Sequence, residues 1–123
     1  MKGIVGSMAI VAGLMVAGCG MADEMQALAQ KHKCTVCHAI DHKVLGPAWR
    51  DVARRYTGIA KYIYEGKEYP LTEGLVMKVS HGGSGNWGAM PEPANDPTGT
   101  EQKEITELVK YVLSLGIKYV PFS

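Results

Sequence analysis

The sequence predicts an all-α domain of short helices joined by long irregular loops. Three observations lead there. Apolar residues recur at i, i+3, i+4 spacing in several separate segments, which is the helical period. Gly (15) and Pro (6) are numerous, and residues 82–97 alone hold four Gly, three Pro and three Asn or Asp, the composition of an irregular loop. No convincing hairpin stands out. At 123 residues the chain has room for one domain and little more.

The elements follow in order. Residues 1–22 carry one Lys and then an uncharged stretch from Gly3 to Ala22. A short charged start, an apolar middle and a small-residue end make a secretory signal peptide. Gly20-Met21-Ala22 is a small-x-small cleavage site, so Asp23 begins the mature domain of residues 23–123. Two rival readings stand beside this one. Val16-Ala17-Gly18-Cys19 resembles a bacterial lipobox, with Cys19 lipidated. The uncharged run also matches the ~20 residues of a membrane span, an uncleaved anchor. All three readings place the domain outside the cytoplasmic membrane, in the periplasm. Only the last two tether it to the membrane.

Residues 23–33 form an amphipathic helix with Met25, Leu28, Ala29 and His32 on one face. Residues 39–48 are a loop ending in Gly46-Pro47-Ala48. Residues 48–56 form a second helix, with Trp49, Val52, Ala53 and Tyr56 inward and the arginines mostly outward. Residues 57–70 take no firm assignment. Residues 72–80 are helical, with Leu75, Val76 and Val79 inward. After the loop of residues 82–97, Thr98-x-x-Glu101 reads as a capping box. It opens the clearest helix, with the stripe Ile105, Leu108, Val109, Val112, Leu113, stopped at Gly116.

Charge and cysteine content exclude several function classes. Net charge is +1, from 13 basic and 12 acidic residues, so no basic field invites nucleic acid. The three Cys are Cys19 in the leader and Cys34 and Cys37. That is neither a disulfide framework nor a four-cysteine zinc site. No nucleophile motif, paired carboxylates or phosphate loop appears, so no catalytic residues are assigned and the protein reads as a non-enzyme.

Cys34-Thr35-Val36-Cys37-His38 is a C-x-x-C-H pentapeptide, the signature of covalent haem c attachment. On a helical turn, thiols at i and i+3 face one side and both reach the haem vinyl groups. His38 then presents its imidazole to the iron. A thioredoxin-like pair would need a βαβ pattern, which is missing. The helices are short and the core is thin for ~100 residues, so one flat apolar cofactor is expected to complete the core. A fast electron carrier also needs a sixth iron ligand that stays in both oxidation states. Of the mature methionines, Met25 and Met77 sit in packing helices, and Met90-Pro91 sits in the Gly/Pro loop, where a sulfur can approach the iron.

With these residues the chain resembles the small monohaem class I cytochromes c of bacteria, which shuttle electrons to reductases and terminal oxidases. The resemblance runs over residues 23–115. It rests on Cys34–His38 with Ala39-Ile40-Asp41, on residues 45–53, on residues 82–88 and on the last helix. It implies the class I cytochrome c fold, with short helices and Gly/Pro loops wrapped around one covalent haem c. It also implies that the Gly46-Pro47 carbonyl segment accepts a hydrogen bond from the His38 Nδ1 and that Trp87 hydrogen-bonds a haem propionate. Implied partners are redox proteins, such as a membrane cytochrome complex, a reductase or an oxidase. The chain departs from the family at one point. The family loop runs Trp-Gly-x-x-Pro-Met-Pro, and ungapped alignment on Trp87-Gly88 puts Glu92 where Met is expected. Met90 is favoured as the ligand, through a shortened loop with Glu92 pointing to solvent, because a carboxylate is a hard donor. If the axial Met is lost, Glu92, His81, His42 or water takes the site, and a haem enzyme or gas sensor becomes the alternative. A bound cytochrome subunit of a membrane oxidoreductase is the other. Residues 61–69 are read as a surface insertion.

Overall fold

The computed structural model of the protein describes residues 10–116, with side chains from residue 21 onward. The order is α1 (Ile10–Lys31), a 3-10 turn (Cys34–Val36), α2 (Trp49–Tyr56), β1 (Lys61–Tyr64), β2 (Lys67–Pro70), α3 (Leu71–His81), β3 (Gly83–Gly85), β4 (Gly88–Glu92) and α4 (Gln102–Ser114). Helices dominate, and the strands form only two small antiparallel ribbons.

The first helix is longer than the spacing predicts. It runs unbroken from Ile10 across the expected leader boundary, because no Pro interrupts it and Ala, Met, Leu and Glu are strong helix formers. The Cys19 side chain, the start of the leader (residues 1–9) and the tail (residues 117–123) lie outside what is described. No helix among the described residues is long and apolar enough to cross a membrane. Ala29 is fully buried on the expected inner face of α1. Lys31 Nζ and His32 Nε2 reach Glu104 Oε1 at 2.8 and 3.2 Å, tying α1 to α4.

The helix stripes pack as their spacing predicts. Trp49, Ala53 and Tyr56 of α2, Leu75 and Val76 of α3, and Ile105, Leu108 and Val109 of α4 are buried in one cluster. Arg50, Arg54 and Arg55 stay exposed. The loop helix of residues 72–80 is α3, extended by a residue at each end.

Three local expectations are corrected. First, residues 61–69 are a hairpin and not a surface insertion. β1 pairs with β2 in the register Tyr62↔Tyr69 and Tyr64↔Lys67, turning through Glu65 and Gly66 at φ 49° and 77°. Two positive φ values make the kind of primed two-residue turn whose twist matches the strands. Tyr62 and Tyr64 are buried while Ile63 is 65% exposed, so the strand does alternate. Second, the start of the Gly/Pro loop is ordered as a ribbon, with Gly83 opposite Glu92 and Gly85 opposite Gly88. The hairpin tyrosines hold this ribbon: Tyr64 Oη donates to Gly82 O at 2.8 Å, and Asn86 donates to Tyr62 Oη. Third, the Thr98–Glu101 capping box does not form. Thr98 Oγ1 meets Thr100 Oγ1, and the buried Asp96 carboxylate accepts from the Glu101 N–H at 3.1 Å instead. Asp96 is itself tied to α3, its N–H donating to Ser80 O at 3.1 Å.

Candidate functional site

The site begins at a tight turn. After α1 the chain passes through Lys33 at φ 60° into the 3-10 turn. There the Cys37 and His38 N–H groups both donate to Cys34 O, at 3.2 and 2.9 Å. That turn places Cys34, Cys37 and His38 along one open cleft with a cavity volume of about 150 Å³. Burial, with the Glu92 carboxylate adding to it, pushes the Cys34 thiol up to about 11. Both cysteines are unpaired and half-buried.

Backbone hydrogen bonds fix the loop behind His38. Gly46 N–H donates to Cys37 O at 2.7 Å, and Trp49 N–H to Ala39 O at 2.9 Å. Pro47 O then stands 2.7 Å from His38 Nδ1, so Nδ1 carries the hydrogen and Nε2 is left free to bind. The ring stacks on Trp49, with centroids 6.1 Å apart and planes at 26°. Gly46 lies flat against the imidazole. A Cβ there would fall 2.7 Å from His38 Cε1, so only glycine makes this cradle.

The helices supply the apolar lining of the cleft, with Val52 and Tyr56 of α2, Leu75 and Val79 of α3, and Ile105 and Leu108 of α4. These residues belong to the core cluster or pack against it, so the cleft is the middle of the core. A large, flat, apolar group held by two thiols and an imidazole fits the residues present.

The β3–β4 ribbon completes the cleft. Trp87 sits at its edge, 40% exposed, with the Arg55 guanidinium 4.6 Å over its ring. Its neighbour on the core side is Tyr56, edge-on at 6.3 Å. Met90 lines the cleft mouth and is 58% exposed. Glu92 does not point to solvent as expected. Its Oε2 stands 3.4 Å from His38 Nε2, and Asn95 Nδ2 donates to its Oε1 at 3.4 Å. The physical reason is the ribbon register: Glu92 pairs with Gly83, which turns its side chain into the cleft. Burial alone would lower the His38 pKa, but the hydrogen bonds to Glu92 and Pro47 outweigh it and the net shift is upward. His42 and His81 are exposed as expected, although His81 closes α3 and does not lie in a loop. Of the hairpin tyrosines Tyr62 lines the cleft, a position that reading residues 61–69 as a surface insertion passes over and that the alternation at 62–64 signals.

Known proteins resemble this chain over most of its length. The Cytochrome c family model matches residues 22–116. Cytochrome c2 of Rhodocyclus tenuis is 46% identical, over 76% of this chain and 94% of its own length. Cytochrome c-552 of Hydrogenobacter thermophilus is 34% identical, over 86% and 94%. The crystal structure of Nitrosomonas europaea cytochrome c552 superimposes with a TM-score of 0.59 at 30% identity, covering 73% of this chain and 98% of that one.

Proposed function

The chain belongs to the cytochrome c family, an electron-transfer family holding one covalent haem c, and from that premise we propose that it is an exported carrier of single electrons between redox protein partners. The haem iron, when bound, supplies a one-electron ferric/ferrous couple. Every other task falls to the chain. Cys34 and Cys37 hold the group through two thioethers. His38 supplies the proximal nitrogen, with Pro47 O orienting the ring and raising its basicity. The sixth ligand comes from β4, which carries both Met90 and Glu92. Trp87, at the cleft edge, is positioned to donate to a propionate.

The observation that carries this reading is the His38–Pro47 bond behind a cleft lined by both thiols. An imidazole locked in one tautomer and stacked on Trp49 moves little when the iron changes charge, which suits fast electron exchange. The test is a redox titration of the holoprotein joined to stopped-flow mixing with a small inorganic oxidant and reductant. Reversible one-electron cycling with no turnover of hydrogen peroxide is expected. Sluggish or irreversible electron exchange with peroxide turnover would move the protein to the haem-enzyme reading.

Export rests on the leader pattern of residues 1–22, with Asp23 as the mature N-terminus. Intact mass of the protein purified from a bacterial periplasm should fit a chain starting at Asp23. A diacylated Cys19 start or an intact leader in the membrane fraction would favour tethering.

A further inference from the structure

Resting on the haem-carrier reading, we propose that the Glu92 carboxylate, and not a methionine sulfur, is the sixth ligand of the iron. Four observations converge on it. Pro47 occupies Nδ1 of His38, so Nε2 is the nitrogen turned into the cleft. The side chain that meets Nε2 there is Glu92, in a direct hydrogen bond at 3.4 Å that an entering iron would part and replace.

The backbone holds Glu92 in that place. Gly82 packs so closely on this segment that a Cβ on it would lie 2.5 Å from Glu92 O and 3.0 Å from Ala94 N. Asn95 N–H donates to Val79 O of α3 at 3.1 Å. Sliding Met90 into the place of Glu92 would move the ribbon by two residues. It would break the Gly83↔Glu92 pair and the Gly82 packing, and it would pull on the Asp96 cap of α4. Met90 therefore stays at the mouth, 58% exposed.

Charge supplies the last observation. The Glu92 side chain is 25% exposed; its partners are His38 Nε2, the atom the iron would take, and Asn95 Nδ2, and among the described residues no lysine or arginine pairs with it. A carboxylate withdrawn from water needs a cation, and leaving it unpaired is costly. Ferric iron in a porphyrin carries one net positive charge and satisfies it. Reduction removes that charge and leaves the carboxylate uncompensated. Glu92 therefore favours the ferric state.

The test compares the visible spectrum, the electron paramagnetic resonance and the potential of the holoprotein with those of Met90→Ala, Glu92→Gln and Glu92→Met. Wild-type ferric protein is expected to lack the weak far-red band of sulfur on iron. Met90→Ala, a change at an exposed side chain, keeps the wild-type spectrum. Glu92→Gln alters it. Glu92→Met creates the far-red band and shifts the equilibrium at least tenfold toward the ferrous form, about 59 mV for one electron. A far-red band in the wild type that disappears in Met90→Ala overturns the proposal, and so does a Glu92→Gln spectrum identical to wild type. Reversible electron exchange in the wild type, whatever its spectrum, keeps the carrier reading apart from this outcome. Its absence would sink that reading first.

Discussion

With Cys34→Ala and Cys37→Ala combined, the protein is expected to lose all covalently held haem. Run denatured on a gel, the wild-type band should keep haem peroxidase activity and the double variant should show none. Both thiols line the same cleft, one at each end of a single 3-10 turn, so each can add across one vinyl double bond. No redox partner is consumed, because the S–H adds across the C=C. Either single variant should retain one thioether and so keep the stain. The double variant may be scored even if it folds poorly, because the stain reads the bond and not the fold. Extraction of haem from the wild type by acid butanone would refute covalent attachment outright.

The second large effect concerns the apo protein, which should lose most of its far-UV helical signal. The residues lining the cleft are those of the core: Tyr56, Leu75, Ile105 and Leu108 belong to both. Ile105 is the largest fully buried side chain described. In the apo protein these side chains lack the flat apolar group that would fill the cleft they line. The helices cannot stand alone, since α2 has only 8 residues and isolated helices below about 12 are marginal in water. Circular dichroism of the holoprotein and of the chain made without haem decides the matter. An apo form with near-native helicity and a cooperative melt would mean that the protein core suffices by itself.

How much was legible in the sequence follows the range of the interactions. The stripe from Ile105 to Leu113 predicted α4, and its three leading residues are buried as the period requires. Its cap was misread, because Asp96 reaches Glu101 only after docking on Ser80 of α3. The hairpin was missed for a related reason. Glu65-Gly66 is a weaker turn signal than Asn-Gly, and two-stranded ribbons are marginal alone. β1–β2 is stable because Tyr62 packs on Gly74, where a Cβ would come within 2.8 Å of it.

The sequence by itself determined the C-x-x-C-H pentapeptide, with His38 as its candidate iron ligand, and the helical faces. Each depends on spacings of three or four residues, which local backbone geometry converts directly into position. Only the tertiary structure decided which side chain of the Gly/Pro loop meets His38. Met90 and Glu92 are two residues apart and, in an extended strand, point the same way, so spacing could not separate them. Hydrogen bonding of Gly83 with Glu92 and the close approach of Gly82 set the register of the ribbon. Asn95 and Asp96 bond the segment after the ribbon to α3, and Tyr64 of the hairpin bonds Gly82; these contacts exist only once the chain has folded around the cleft.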